Sequence, residues 1–204
     1  MGLYKKFHIN ENITVGLWQL EEDLDTLLDL IDNNIYETAV INSFKKEARK
    51  KQWLATRVLL NQLNKNHKIS YLTSGKPILD DAFLSISHSE NKIAIAINEK
   101  DEIGIDIQKI TPKIERIKTR FLSDTERTWA EKDLTVMTMC WSIKETLYKI
   151  YGDGSIIFRD HIKIPEFNLE TKSLIGSIFY NEKWNNFKLE LKYTEDFTLS
   201  YTVD

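Results

Sequence analysis

Trp141-Ser142-Ile143-Lys144-Glu145-Thr146-Leu147-Tyr148-Lys149 lies in the longest helix-like run of the second half of the chain. Wound as a helix, it puts Trp141, Glu145 and Lys149 on one stripe, because residues four apart share a face. A carboxylate and an ammonium on one stripe form either a surface ion pair or half of a site, and the surrounding segments decide which. Asp133 is placed to cap this helix and Gly152 to end it. Ser123-Asp124-Thr125-Glu126 opens a shorter helix with a capping-box pattern. Farther upstream, Ile103-Gly104-Ile105-Asp106-Ile107-Gln108 alternates strictly. That is a strand with its isoleucines on one face and Gly104, Asp106 and Gln108 on the other.

The first half has the same ingredients. Residues 13–20 read as a strand and residues 21–32 as a short acidic helix. Ser43 is placed to cap a long helix over residues 43–64, which carries Lys45, Lys46, Arg49, Lys50, Lys51 and Arg57. Thr73-Ser74-Gly75-Lys76-Pro77 is a turn. Residues 83–87 form a strand that ends in Ser87-His88-Ser89. Residues 93–97 are apolar throughout, as in a strand buried on both faces. Three late strands are expected over 174–180, 187–193 and 197–203, the last two as a hairpin. The reading is an α+β protein of two similar α/β halves, 1–102 and 103–204.

The chain has 204 residues, 29% of them charged, and a net charge of −3. That balance gives no support to wholesale nucleic-acid binding, which shows as a basic domain. A single cysteine, Cys140, excludes an intrachain disulfide and reads as a buried thiol. No apolar stretch approaches the roughly 20 residues of a membrane span. The N-terminal residues carry no secretory pattern. A cytoplasmic protein is expected, with no nucleic-acid or membrane partner.

Asp106 is the acid that most needs explaining. A carboxylate amid isoleucines needs a partner, because an unpaired buried charge is costly. The alternative is a partly exposed edge residue. Gly104, on the same face, leaves room for a ligand to approach the backbone. Glu126 reads by itself as half of a capping box, and Glu145 as an ion pair with Lys149 worth about 0.2–0.5 kcal/mol. Together, Asp106 and Glu145 suggest a hard cation such as Mg²⁺, which is held by one or two carboxylates plus phosphate oxygens and waters. His88 has no second His or Cys at ligand spacing, and Gly75-Lys76-Pro77 is not a P-loop. The anion side is fuller. Arg49, Arg57, Lys76, His88, Lys144 and Lys149 can meet several phosphates, although a solvated helix face accounts for most of residues 45–51. Arg57 is more pointed, because it sits among Leu54, Val58 and Leu60.

Gly75-Lys76-Pro77, Ser85-Ile86-Ser87-His88-Ser89, Gly104-Ile105-Asp106-Ile107, the run from Phe121 to Glu126 and Trp141-x-x-Lys144-Glu145-x-x-x-Lys149 together resemble the 4′-phosphopantetheinyl transferases of the surfactin-synthetase-activating type. The resemblance implies two halves related by pseudo-twofold symmetry. It implies transfer of the phosphopantetheine arm of coenzyme A to a serine of an apo acyl or peptidyl carrier protein, releasing adenosine 3′,5′-bisphosphate. Asp106 and Glu145 would hold Mg²⁺, and Lys149 would neutralise the transferred phosphate. Glu126 would bind metal or deprotonate the serine. Ser87, His88, Lys76 and Arg57, with Arg49, would hold the phosphates of coenzyme A. Gln108 stands where the family commonly has a second metal-binding acid, so it would ligate weakly or leave the position to water. A basic and apolar surface near Arg116–Arg120 and Phe121 would receive the carrier. A chain that forms its own cleft needs no second subunit, so a monomer is expected. A Mg²⁺-dependent phosphohydrolase and a non-catalytic coenzyme A- or carrier-binding protein are the competing readings.

Overall fold

The computed structural model describes residues 4–31, 38–63 and 68–204. The first half contains strands β1 (Tyr4–His8) and β2 (Ile13–Gln19), and helices α1 (Leu24–Leu30), α2 (Thr38–Ser43) and α3 (Glu47–Leu63). Strands β3 (Ser70–Tyr71), β4 (Pro77–Ile78), β5 (Phe83–Ser89) and β6 (Lys92–Asn98) follow. The second half begins with β7 (Ile105–Lys109). A 3₁₀ turn (Pro112–Ile117) leads to α4 (Lys118–Phe121), α5 (Asp124–Ala130), α6 (Leu134–Tyr151) and α7 (Phe158–His161). The chain closes with β8 (Ile162–Lys163), β9 (Ser173–Tyr180), β10 (Lys183–Tyr193) and β11 (Phe197–Thr202).

This is a mixed α/β architecture with two main antiparallel sheets, ordered β1-β2-β6-β5 and β7-β11-β10-β9-β8. Helix α3 covers one face of the first sheet through Leu54, Leu59 and Leu63. Helix α6 lies on the second sheet, with Ile143 and Leu147 buried beside Leu189 and Ile178. Between the sheets Val15, Ala94 and Ala96 pack against Ile105, Ile107 and Leu199. The apolar run 93–97 is thereby buried on both faces, as its composition requires.

The helix ends follow their capping residues. Asp133 accepts from the amides of Thr135 and Val136, and Gly152 ends α6 in the left-handed region at φ 61°. The Ser123–Glu126 capping box is present in both directions. Ser43 differs from expectation. It ends α2, donating to the Val40 carbonyl, and α3 starts only at Glu47. The basic stretch therefore bends between two helices, and only its second part is one helix.

Edge strand β5 lies against edge strand β7, and serines make the join. The hydroxyls of Ser85, Ser87 and Ser89 accept the amides of Ile105, Ile107 and Lys109 at 3.1, 3.2 and 3.0 Å. An edge strand exposes a row of unpaired amides, and here a period-two row of hydroxyls covers it.

Gly104 has a different use from the one expected. A Cβ there would lie 2.1 Å from the backbone oxygen of Thr146 on α6. The missing side chain admits a helix backbone, and no space for a ligand remains at that point. The close approach is lined with hydroxyls. Ser142 donates to the Asp106 carbonyl at 3.1 Å, and Thr146 bonds the Ser200 hydroxyl at 2.6 Å.

Candidate active site

Helix α6 and strand β7 bring Asp106, Glu145 and Lys149 together. Asp106 is 4% exposed. Its Oδ1 accepts from the Ser87 hydroxyl at 2.8 Å and from Lys149 Nζ at 2.7 Å. Lys149 also donates to the Ile105 carbonyl at 3.0 Å. The ammonium thus pairs with the strand carboxylate, and Glu145 makes no ion pair within 4.0 Å among the described residues. Lysine has three N–H donors, so one remains after these two bonds.

Asp106 Oδ2 is buried without a hydrogen-bond partner. The Glu145 carboxyl is pushed up to about 7, first by burial and then by the negative charge of Asp106, with Lys149 opposing both. A lone-pair-rich oxygen without a donor, beside a second carboxyl that resists ionising, suits a hard divalent cation. The donor set has no third acid, because no group of three His, Cys, Asp or Glu converges among the described residues. Gln108, two residues along the strand and half-buried, occupies the side where one would stand.

The raised carboxyl has a consequence for stability. A folded-state value above the unfolded 4.5 favours the protonated form, so its contribution is complete below pH 4.5 and is lost as pH rises through about 7. Melting curves of the metal-free protein should show this loss, and Glu145→Gln should flatten it. An identical pH dependence in the two proteins would count against the shift.

Beside this pair lies a cavity of about 420 Å³, lined by Phe44, Arg49, Trp53, Arg57, Tyr71 and His88 among others. Arg57 is 5% exposed. Its guanidinium lies 3.4 Å from the centroid of the Trp53 ring and bonds the Tyr71 hydroxyl at 3.4 Å. Arg49 bonds His88 Nε2 at 2.9 Å. The His88 imidazole is held below its ordinary value, first by desolvation and also by the charges of Arg49 and Lys149. His88 therefore lines the cavity within electrostatic reach of Asp106 and Lys149. Three of the residues expected to bind phosphate, Arg49, Arg57 and His88, converge here.

The others are placed differently. Ser87 is buried and committed to Asp106 and the Ile107 amide. Lys76 pairs with Glu102 at 2.5 Å and donates to the Ile150 carbonyl near the end of α6, linking the 75–77 turn to that helix. Glu126 is 4% exposed. Its carboxylate accepts from Lys144 at 2.7 Å, Ser123 at 2.8 Å and Ile164 at 3.2 Å. Lys144 is fully buried and also donates to the Phe158 and Ile162 carbonyls at 3.1 and 2.8 Å. Glu126 and Lys144 thus form a buried pair that holds α5, α6 and the segment entering β8. Trp141 packs at 5.2 Å from Phe121 and 5.4 Å from Phe158, fixing the helix. Phe121 is fully buried in that stack and offers no surface to a partner. Lys113, Arg116 and Arg120 beside it are exposed.

Sequence reasoning missed Trp53 and Tyr71 as cavity walls and the serine row as an interface. The row had a readable signal, Ser85-x-Ser87-x-Ser89, whose period places all three hydroxyls on one face.

Chemically, this is a cavity carrying two guanidiniums and an imidazole, set against a carboxylate pair on an α+β frame. Residues 102–202 match the model of the 4′-phosphopantetheinyl transferase superfamily, and through them the chain belongs to that superfamily of transferases. The chain is 27% identical to the 4′-phosphopantetheinyl transferase HetI of Nostoc sp. over 166 residues, 69% of each chain. It is 30% identical to the 4′-phosphopantetheinyl transferase gsp of Aneurinibacillus migulanus over 105 residues, 48% of this chain and 44% of that one. It is 29% identical to the 4′-phosphopantetheinyl transferase AcpT of Salmonella typhi over 131 residues, 57% of this chain and 67% of that one. Among the described residues, no helix is long and apolar enough to cross a membrane.

Proposed function

We propose that the protein transfers the 4′-phosphopantetheine moiety of coenzyme A to a serine hydroxyl of an apo acyl or peptidyl carrier protein, with Mg²⁺, releasing adenosine 3′,5′-bisphosphate. The observation that carries this reading is the adjacency of the Arg49–Arg57–His88 cavity to the Asp106–Glu145 pair, His88 lining the cavity within electrostatic reach of Asp106. A cavity with two guanidiniums and an imidazole suits a multiply phosphorylated nucleotide better than a small phosphoester, which disfavours a simple phosphohydrolase.

Asp106 Oδ2 and Glu145 would hold Mg²⁺, with Gln108 as a neutral neighbour. Bound there, the ion would neutralise charge on the pyrophosphate oxygens. Lys149 gives one N–H to Asp106 and one to the Ile105 carbonyl, and has the third for the phosphate being transferred. Arg57, fixed on Trp53, and Arg49 with His88 anchor the nucleotide end, which supplies positioning. The serine proton must leave as the oxygen attacks phosphorus. The carboxylates in the cleft are the acidic groups beside the reacting atoms, directly or through water. Glu126 acts in this reading as a positioning residue, because its oxygens already accept three donors. Lys76 acts likewise, by tying the cavity turn to α6.

We read the two sheets with their long helices as halves 1–102 and 103–204 related by pseudo-twofold symmetry. The cleft is complete within one chain, consistent with a monomer. The exposed Lys113, Arg116 and Arg120 form the basic part of a carrier-docking surface. The test is release of adenosine 3′,5′-bisphosphate from coenzyme A when an apo carrier is added. Release dependent on both carrier and Mg²⁺ is expected, and none with any apo carrier would refute the reading.

Two further results are expected. Ser87→Ala removes the hydroxyl that holds Asp106 Oδ1, so half-saturation by Mg²⁺ should rise several-fold, with about 1 kcal/mol lost in stability. Metal titration of transfer, with a melting curve, checks both. Gln108→Glu adds a negative ligand and should lower half-saturation by roughly tenfold. An unchanged titration would remove Gln108 from the metal site.

A further inference from the structure

A cavity of about 940 Å³ opens on the face of the second sheet that points away from α6. Alternation along the strands puts it there. On β11, Ser200 bonds Ser142 and Thr146 of α6, whereas Phe197 and Leu199 line the cavity. On β7, Asp106 turns to Ser87 and Lys149, whereas Ile107 lines the cavity. The catalytic reading uses none of this space.

Ile107 and Leu199, buried between the sheets, with Leu17 and Phe197 packed on them, give the cavity an apolar floor. Lys5, Lys92, Lys172 and Lys192 also line it, against one acid, Glu190. The acid accepts from the Tyr201 hydroxyl at 2.5 Å and lies 3.8 Å from Lys192 Nζ, so the lining keeps an excess of positive charge. All four lysines have their ammonium over an aromatic ring, Lys5 at 6.0 Å from the Phe7 centroid. Lys92 Nζ lies 5.3 Å from the Phe197 centroid, Lys172 5.9 Å from Tyr193 and Lys192 5.2 Å from Tyr201. The ring faces hold these ammonium heads around the apolar floor. A neutral apolar ligand would leave that excess of positive charge unanswered. A polyanion would leave the floor unused. An apolar body with a single anionic head uses both, and the volume is that of a small-molecule site.

We propose that this cavity is a second binding site, for an amphipathic anion with a medium-length aliphatic chain and a carboxylate head. The chain lies on Ile107, Phe197 and Leu199, and the head meets Lys172 and Lys192. The test is calorimetric titration of the whole chain with decanoate, kept below its micelle concentration, and with 1-decanol. Saturable one-to-one binding of decanoate is expected, roughly tenfold or more tighter than 1-decanol. The exposed double variant Lys172→Gln/Lys192→Gln should stay folded, as its melting curve checks, and lose at least tenfold in decanoate affinity. Leu17→Trp, which narrows the cavity, should also weaken binding. Arg49→Ala, in the other cavity, should leave it unchanged. Absence of saturable binding, equal binding of 1-decanol, undiminished affinity in the folded lysine variant, or loss of affinity in Arg49→Ala would each overturn the proposal.

Discussion

Glu145→Gln should lower transfer by about a thousandfold or more while the protein melts at the same temperature or higher. The two effects have one origin. Glu145 sits half-buried beside Asp106, and its carboxyl is pushed up to about 7 by burial and by that neighbour's charge. Above that pH the folded state carries two carboxylates in one place without a bound cation. Glutamine keeps the shape and removes the repulsion, so the metal-free fold does not suffer. It also removes one of the two charges proposed to hold Mg²⁺, so transfer does. A residue that merely supported the fold would lose stability and activity together. Measuring the rate at saturating coenzyme A, alongside melting in the presence of a chelator, separates the cases. Near-normal turnover in Glu145→Gln would remove the metal assignment.

Gly104→Ala should destabilise the protein by about 3 kcal/mol or more, at the upper end for overpacking. The added Cβ would stand 2.1 Å from the Thr146 carbonyl oxygen and 2.9 Å from its carbon. Both are backbone atoms of a helix, so no rotamer change relieves the clash. Helix α6 would have to withdraw from β7, breaking the Ser142–Asp106 carbonyl bond and separating Glu145 from Asp106. For a chain of this size, such a loss is about 6–12 °C in melting temperature. Chemical denaturation reads it directly. A loss below about 1 kcal/mol would show that α6 and β7 are not packed this closely.

Much of the frame was legible because it depends on local chemistry. Alternation gave β7 its faces, and Ser123, Asp133 and Gly152 marked helix ends by satisfying orphan backbone groups. Asp106 was suspect because its place among isoleucines demanded a partner. The choice of partner was not legible. Helical spacing offered Lys149 to Glu145, but β7 supplies a deeper carboxylate and a carbonyl together, and Lys149 takes both. Ser87 was expected to face phosphate and instead braces Asp106, because the β5–β7 register puts its hydroxyl under a buried amide. Lys76 and Glu126 likewise carry charges that tertiary packing consumes. Gly104 was misread for the same reason: the space it leaves is filled by a helix 42 residues on, at Thr146. Short elements such as β8, two residues long, have no pattern of their own to read.

The most direct measurement of the central claim is the intact mass of an apo carrier protein after incubation with this protein, coenzyme A and Mg²⁺. The carrier should gain one phosphopantetheine group, located on its serine, and a carrier with that serine replaced by alanine should gain none. An unmodified mass across fatty-acid, polyketide and peptide carriers, with the protein folded and Mg²⁺ present, would contradict the account.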